Sequence, residues 1–476
     1  MKKLPLIQFI LLLCLSFTGA SIHKDPPENK FLNFSDLHFD PFYDTTIVHK
    51  LIMSDHSSWE NIFYGSEIKS VSNYGRDSNF PLLKSLMVEM KDRIPEPDFI
   101  IITGDFMGHD FNENYEKFSG SGNQDSLYAF IKKTIKFLTS FITKFYPDTQ
   151  IFPMVGNDDS FCGDYMIDPN GKFLNMLSEI WEPVVNKTGS NASFRTDFSK
   201  GGYCLVNFPS NISDESKIKM LILNTVFFSS DYKNICGDTL TDPGLEQLEW
   251  LENVFRKCKA DGNKLMLSYH IPPGIDIYGT IHGKGDCSEK IMPTWKEKYS
   301  IEFIRLIKNY SDIILSQFAG HFHRDDFRIF YEGNNPVSFI HITPSVSPVY
   351  DNNPAYQIFS YDNTDFSLHN YETYYLNNVR ENNTDANETP QWLFEYNFND
   401  NYDENSVNID AMLNVAMKIA DDSTYRESYI KFYTCSNETM TDKDIDTWCY
   451  NVCGFGNLTV DSYAECLCAT KDINLK

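Results

Sequence analysis

Beyond its first twenty residues, the 476-residue chain has no apolar run long enough to span a bilayer, which takes about 20 residues. Its last residues, Asp472-Ile473-Asn474-Leu475-Lys476, are polar and suggest no lipid anchor. No internal repeat is evident. Basic residues are scarce: 41 Lys and Arg stand against 66 Asp and Glu, a formal charge of −25. A nucleic-acid groove needs a basic face, so that partner is excluded, as is broad electrostatic adsorption to anionic lipid. The surplus needs no partner of its own, since net charge keeps a protein soluble. Transient contact with a membrane surface remains compatible with it, and composition does not specify an oligomeric state.

What is present begins with a secretory pattern over residues 1–20. Lys2 and Lys3 precede an apolar stretch from Leu6 to Phe17, and Thr18-Gly19-Ala20 forms a small-residue cleavage site. The stretch is short for an anchor, so cleavage is expected. The product is expected to be secreted, or delivered to the lumen of an acidic vesicle such as the lysosome. Of 11 cysteines, Cys14 falls in this leader and leaves an even number for the mature chain, as an oxidising compartment allows. Asn33, Asn186, Asn191, Asn211, Asn309, Asn382, Asn387, Asn437 and Asn457 all open Asn-x-Ser/Thr sequons, a density that favours a glycoprotein.

Residues 21–30 look like a linker, after which strands and helices alternate. Phe31-Leu32-Asn33-Phe34 leads into Asp36-Leu37-His38. Residues 98–103 end in Gly104-Asp105, and residues 150–155 end in Gly156-Asn157-Asp158-Asp159. Residues 264–269 end in His270, and residues 313–318 lead to Gly320-His321-Phe322-His323. These runs of Ile, Val and Phe bounded by Gly or Pro read as buried strands. Leu127, Phe130, Ile131, Ile135, Leu138, Phe141, Ile142 and Phe145 repeat at helical spacing, and Asp242-Pro243 reads as the cap and first residue of another helix. The fold class is α/β, a sandwich of two mixed sheets flanked by helices over residues 31–345. From 346 to 476 the chain turns rich in Tyr and Asn, with a helix expected over 407–420. Five cysteines then crowd together, which reads as a small disulfide-stapled C-terminal subdomain.

Each of the five polar motifs follows a probable strand and offers Asp, Asn or His. Oxygen and imidazole donors without thiolate suit a borderline cation: two Zn²⁺, with Mn or Fe served by the same donors. Two such ions about 3.5–4 Å apart are a device for hydrolysing phosphate esters.

In this order the motifs resemble the calcineurin-like metallophosphoesterases. The resemblance implies that Asp105 bridges two ions, one held by Asp36, His38 and His323 and the other by Asn157, His270 and His321. Finer features resemble the acid sphingomyelinases and acid sphingomyelinase-like phosphodiesterases. These are Gly104-Asp105-Phe106-Met107-Gly108-His109-Asp110, Ser268-Tyr269-His270-Ile271-Pro272-Pro273-Gly274, Asn353-Pro354-Ala355 and the cysteine-rich tail. The similarity implies that His109 reaches the phosphate and that Cys236 pairs with Cys287. With the motifs beginning so soon after the leader, no saposin domain is expected. One position departs from the family: Gly-Asn-His-Asp or Gly-Asn-His-Glu is usual, and here Asp158 replaces the His that touches phosphate. A carboxylate there repels phosphate unless protonated or paired, since a nearby like charge raises its pKa. It therefore puts the catalytic acid and the substrate in doubt.

Several residues have plainer readings. Asp159 is expected to cap a helix, the tyrosines of 350–375 to pack rather than bind choline, and His282 to be solvent-exposed. Three functions remain. The first is hydrolysis of sphingomyelin to ceramide and phosphocholine. The second is hydrolysis of soluble nucleotides or polyphosphate, and the third is a catalytically decayed, metal-stabilised binding glycoprotein.

Overall fold

Three short strands, buried at every position but the first two of the first strand, form the centre of the first sheet: β1 (Asn29–Phe34), β2 (Phe99–Ile102) and β3 (Gln150–Pro153). They run parallel, and β1 is flanked on its other side by antiparallel β10 (Ala355–Tyr361). β11 (Leu368–Leu376) and β12 (Trp392–Asn397) complete the order β12-β11-β10-β1-β2-β3. The second sheet is built from β4 (Cys204–Asn207), β5 (Ile218–Ile222), β6 (Lys264–Ser268), β7 (Ile314–Ala319), β8 (Asp326–Glu332) and β9 (Asn335–Ile342), in the order β4-β5-β6-β7-β9-β8. The computed structural model describes residues 29–209, 212, 217–234, 236, 241–380, 388–437 and 448–474, the last five by their backbone alone. The leader at 1–20 lies outside the described residues, as does the linker up to residue 28.

The two mixed sheets pack face to face through interlocking aromatics. Phe31 stacks on Phe99 at 4.5 Å and Phe359 at 5.0 Å within its own sheet, and meets the edge of Phe318 from the other sheet at 5.7 Å. Such ring pairs add about 0.5–1.5 kcal/mol each beyond their burial. A polar thread crosses the same interface. His341 Nε2 lies 2.7 Å from Gln357 Oε1, and Gln357, Thr373 and Tyr396 all donate to Asp325 Oδ2. Every member has a partner, so burying them costs little.

Flanking helices start where the sequence signals. Asp242 caps the helix Pro243–Asp261 by accepting from Leu245 N, and Asn408 caps Ile409–Asp421 by accepting from Ala411 N. The boundary expected near residue 345 does not separate two sheets, because β10 to β12 complete the first one. The helices beyond residue 409 pack on the outside of β8 and β9 and on each other.

The expected Cys236–Cys287 bridge is corrected. Cys236 pairs with Cys162, their Cα atoms 5.7 Å apart, and Cys287 pairs with Cys468 at 5.5 Å. Both separations lie within what a disulfide spans, and each sulfur bonds once. Cys453–Cys466 staples the tail. Three sequons are corrected too. Asn33, Asn191 and Asn437 are buried with their amide nitrogens hydrogen-bonded, Asn33 to Thr343 and Asn191 to the carbonyls of Val185 and Asn207. A glycan on any of them would have to occupy the packed interior. Asn309 is exposed, Asn186 and Asn457 are half-buried, and Asn211, Asn382 and Asn387 lie outside the described residues.

Candidate metal centre

The seven donors stand where five strands end. Asp36 and His38 follow β1, Asp105 follows β2, Asn157 follows β3, His270 follows β6, and His321 and His323 follow β7. Carboxyl ends of strands in an α/β sheet are where backbone turns leave room for ligands. Five donors turn with a left-handed backbone: Asp36 (φ 52°), His38 (38°), Asp105 (52°), His321 (74°) and His323 (57°). A non-glycine residue held there costs of order 1–3 kcal/mol and persists only where its surroundings over-determine it. Here the loops are laced together: Asp36 N donates to the Gly104 carbonyl, His38 N to that of Asp105, and Gly320 N to that of His270. His321 N bonds Asp36 Oδ1 at 3.1 Å, joining one sheet's loops to the other's. Gly156 allows the closest approach, since a Cβ there would collide with Asp105 Oδ1 and its amide.

The donors gather in two groups. Asp36, His38 and His323 form one group, and Asp105, His270 and His321 another, the ligand atoms of each lying within 4.8 Å of one another. Asp105 Oδ2 sits between them, 3.0 Å from His270 Nε2 and 3.4 Å from His38 Nε2. Asn157 Oδ1 faces His270 Nε2 at 3.0 Å, while its amide nitrogen donates to Asp158 and Asp164, which turns the oxygen inward.

The residues fit two divalent cations. The carbonyls of Met107 and Thr103 accept from Nδ1 of His38 and His270, so each ring directs an unprotonated Nε2 at the centre. His38 Nε2 and His323 Nε2 face one another at 3.1 Å, an arrangement that a shared cation relieves. Burial, together with the cationic forms of neighbouring histidines, pushes His38, His321 and His323 well below their ordinary range, so they are neutral and ready to ligate. Burial raises Asp36 to about 7, with Asp105 adding to the rise, and it lifts Asp105 well above its normal value. Among the described residues the ionic partners of these carboxylates are histidines alone. Two dications held by these residues would supply the missing positive charge. Donor chemistry does not decide among zinc, manganese and iron.

His109 and Asp158 lie beside this centre. His109 stacks on His38 with ring centroids 4.1 Å apart, and its Nε2 is 3.7 Å from Asp158 Oδ2. Burial works against its charge. The hydrogen bond to Asp77 and the charges of Asp158, Asp77 and Asp105 outweigh that and raise it to about 10. Asp158 is pushed well up by burial and by Asp105, with His109 pulling the other way.

Sequence reasoning missed three side chains here. Asp77 takes both the ring Nδ1 of His109 (2.9 Å) and its backbone N–H (2.7 Å), and no motif surrounds it. Asp159, expected to cap a helix, instead clamps two loops. Its carboxylate accepts from Phe106 N, Met107 N and Gly156 N. Tyr350 is not simply packing: it is 45% exposed, its ring meets His323 edge-on at 4.8 Å, and its hydroxyl is 3.4 Å from His109 Nε2. A lone tyrosine among many carried no signal for this. His282 is exposed, its Nδ1 bonded to the Tyr278 carbonyl.

Neutral imidazoles and buried carboxylates gathered at strand ends in this way define a metal-dependent phosphoesterase. Known families agree. Residues 29–325 match the calcineurin-like phosphoesterase model, and residues 335–473 match the acid sphingomyelin phosphodiesterase C-terminal region. The chain belongs to the calcineurin-like phosphoesterases and, within them, is similar to the acid sphingomyelinase-like phosphodiesterases. It is 28% identical over 448 residues to mouse acid sphingomyelinase-like phosphodiesterase 3b, covering 92% of this chain and 90% of that one. It is 25% identical over 460 residues to the human cyclic GMP-AMP phosphodiesterase, covering 93% and 91%. Sphingomyelinase phosphodiesterase C of Dictyostelium discoideum is 25% identical over 491 residues, covering 98% of both. Among the described residues no helix is long and apolar enough to cross a membrane.

Proposed function

We propose that the protein is a secreted, zinc-dependent phosphodiesterase that cleaves sphingomyelin to ceramide and phosphocholine. One observation carries the choice of substrate: the charge of the site's mouth. Asp158 and Asp164 stand beside the metal donors, with the rings of Tyr165 and Tyr350 close to His321 and His323. Such a mouth disfavours a polyanion. It suits a singly charged phosphodiester whose neighbouring group is a quaternary ammonium, which carboxylates and aromatic faces attract. The three disulfides support an oxidising destination.

Two bound cations would supply Lewis acidity toward the phosphoryl oxygens and activate water for attack. The chain's own residues do the rest. Asp36, Asp105, Asn157 and the four histidines fix the cations, and Asp159 keeps the Asp105 and Asn157 loops in register. Asp77 holds His109 by Nδ1, so Nε2–H, which faces the Tyr350 hydroxyl and Asp158, could turn to a phosphate oxygen or to the departing alkoxide. Asp158 faces His109 Nε2 at 3.7 Å, and that pairing offsets its repulsion of a phosphodiester.

A second reading has its own support: the human relative named for cyclic GMP-AMP hydrolysis favours soluble nucleotides. The test is hydrolysis near pH 5 by the purified full chain with Zn²⁺. The panel is sphingomyelin in detergent, a cyclic dinucleotide, ATP and a long polyphosphate, with Asp105→Ala and a chelator as controls. We expect sphingomyelin cleavage that both controls abolish. Turnover of the nucleotides or polyphosphate alone would overturn the lipid reading. Silence on all substrates with metal bound would leave a binding glycoprotein.

A further inference from the structure

One hollow reverses the sign of this acidic surface. Between the helices Gln124–Phe145 and Lys172–Val185 lies a cleft of about 720 Å³ lined by Lys132, Lys136, Lys144 and Lys187, with Glu179 the one carboxylate on its wall. Glu179 is already taken by Arg195 at 2.5 Å and lies 4.0 Å from Lys132. Lys144 pairs with Glu60 at 2.7 Å, and Lys187 donates to the Pro147 carbonyl at 2.6 Å. Lys136, half-buried between them, forms no salt bridge among the described residues. The spacing of Lys132, Lys136, Thr139 and Thr143 sets ammonium and hydroxyl groups along one helical stripe. Along that stripe the Thr139 hydroxyl oxygen is buried with no hydrogen-bond partner.

The cleft is not part of the metal centre. Pro147, which Lys187 touches, lies just before the amino end of β3, whereas the metal donors follow the strands' carboxyl ends. We propose that this cleft is a second anion site that binds a small phosphomonoester. Lys136, with Lys132, Lys144 and Lys187 around it, gives the cleft the cluster of ammonium groups that a tetrahedral dianion requires. Small size follows from charge. Within a Debye length of about 8 Å at physiological salt the lysines dominate, but a polyanion reaching farther meets the repulsion of a surface with net charge −25. Phosphomonoesters are also what hydrolysis of a phosphodiester releases, so the site is suited to sense a product of this enzyme class.

The experiment is titration calorimetry of the metal-loaded full chain with inorganic phosphate. A loaded metal centre would take up phosphate as well, so the readout is the number of sites and their dependence on Lys136. We expect two sites in the wild type. Lys136→Glu should retain one, with the other weakened at least 10-fold, and its turnover of a chromogenic diester in phosphate-free buffer should be unchanged. Lys136→Met, which keeps the side-chain bulk, should weaken the same site and guards against a folding defect. A single site in the wild type, or two sites untouched by both substitutions, overturns the proposal. So does Lys136-dependent binding to phosphatidylserine vesicles without binding to phosphate, which would identify a membrane instead.

Discussion

The loops that hold the metal donors and the segment after residue 345 reach their places by opposite routes. Each donor lies within a few residues of a strand end, and its geometry comes from local backbone: five left-handed residues and a glycine that lets two loops touch. The later segment is placed by partners far away in sequence. β10 lies against β1, Cys468 is bonded to Cys287, and Tyr429 donates to Asp326, which also pairs with the buried Arg328. A locally built site tolerates little change at any one residue. A remotely tied segment spreads its stability over many contacts.

Substitutions sharpen that contrast. The largest effect belongs to the loops. Gly156→Ala forces a methyl group onto Asp105 and should cut phosphodiester turnover about 100-fold or more with loss of bound metal, read by kinetics and elemental analysis. Retained metal and activity would show that the loops yield more than their lacing implies. Next comes His109→Ala, expected to lower kcat about 10²–10⁴-fold while leaving metal content intact; a proportional loss of metal would make it structural instead.

Asp77→Asn separates charge from scaffolding. His109 is raised to about 10 from 6.5, so in metal-free protein its pairing adds stability that is whole below about pH 6.5 and lost as pH rises through about 10. The stability difference between wild type and variant, followed by unfolding in chelator, should shrink as pH increases across that window. A flat difference would assign Asp77 only to the His109 backbone N–H. In the remotely tied segment, Cys468→Ser should cost about 2–5 kcal/mol by denaturant unfolding, because the bridge closes 181 residues, with a small change in turnover. Smallest of all, Asn309→Gln should change stability by less than about 0.5 kcal/mol. Peptide mass spectrometry should find a glycan at Asn309 and none at Asn33.

The same contrast explains what could be read beforehand. The donor set was legible because each donor is a polar residue ending an apolar run, so order along the chain stands in for proximity. The parallel strands at 99–102, 150–153 and 264–268 were legible as short apolar runs, and the structure buries them all but Lys264. β10 to β12 read as part of a separate subdomain because nothing in an alternating Tyr-rich pattern states which edge it will join. Cysteine pairing failed for a similar reason: Cys236 and Cys287 each had a nearer partner that only the folded chain brings close. Asp159 and Asp77 escaped because a carboxylate that accepts backbone N–H groups from another loop looks, in sequence, like any cap or surface acid.

The place of β1 has a consequence for how the chain is made. This strand is among the first described residues to leave the ribosome, yet one of its two neighbours, β10, is among the last strands to be translated. Until residues 355–361 emerge, Phe31, Leu32 and Asn33 present an apolar strand with one unpaired edge, an invitation to pair with another chain. A product cut short before residue 355 would keep that edge open, and with it the centre of the first sheet incomplete.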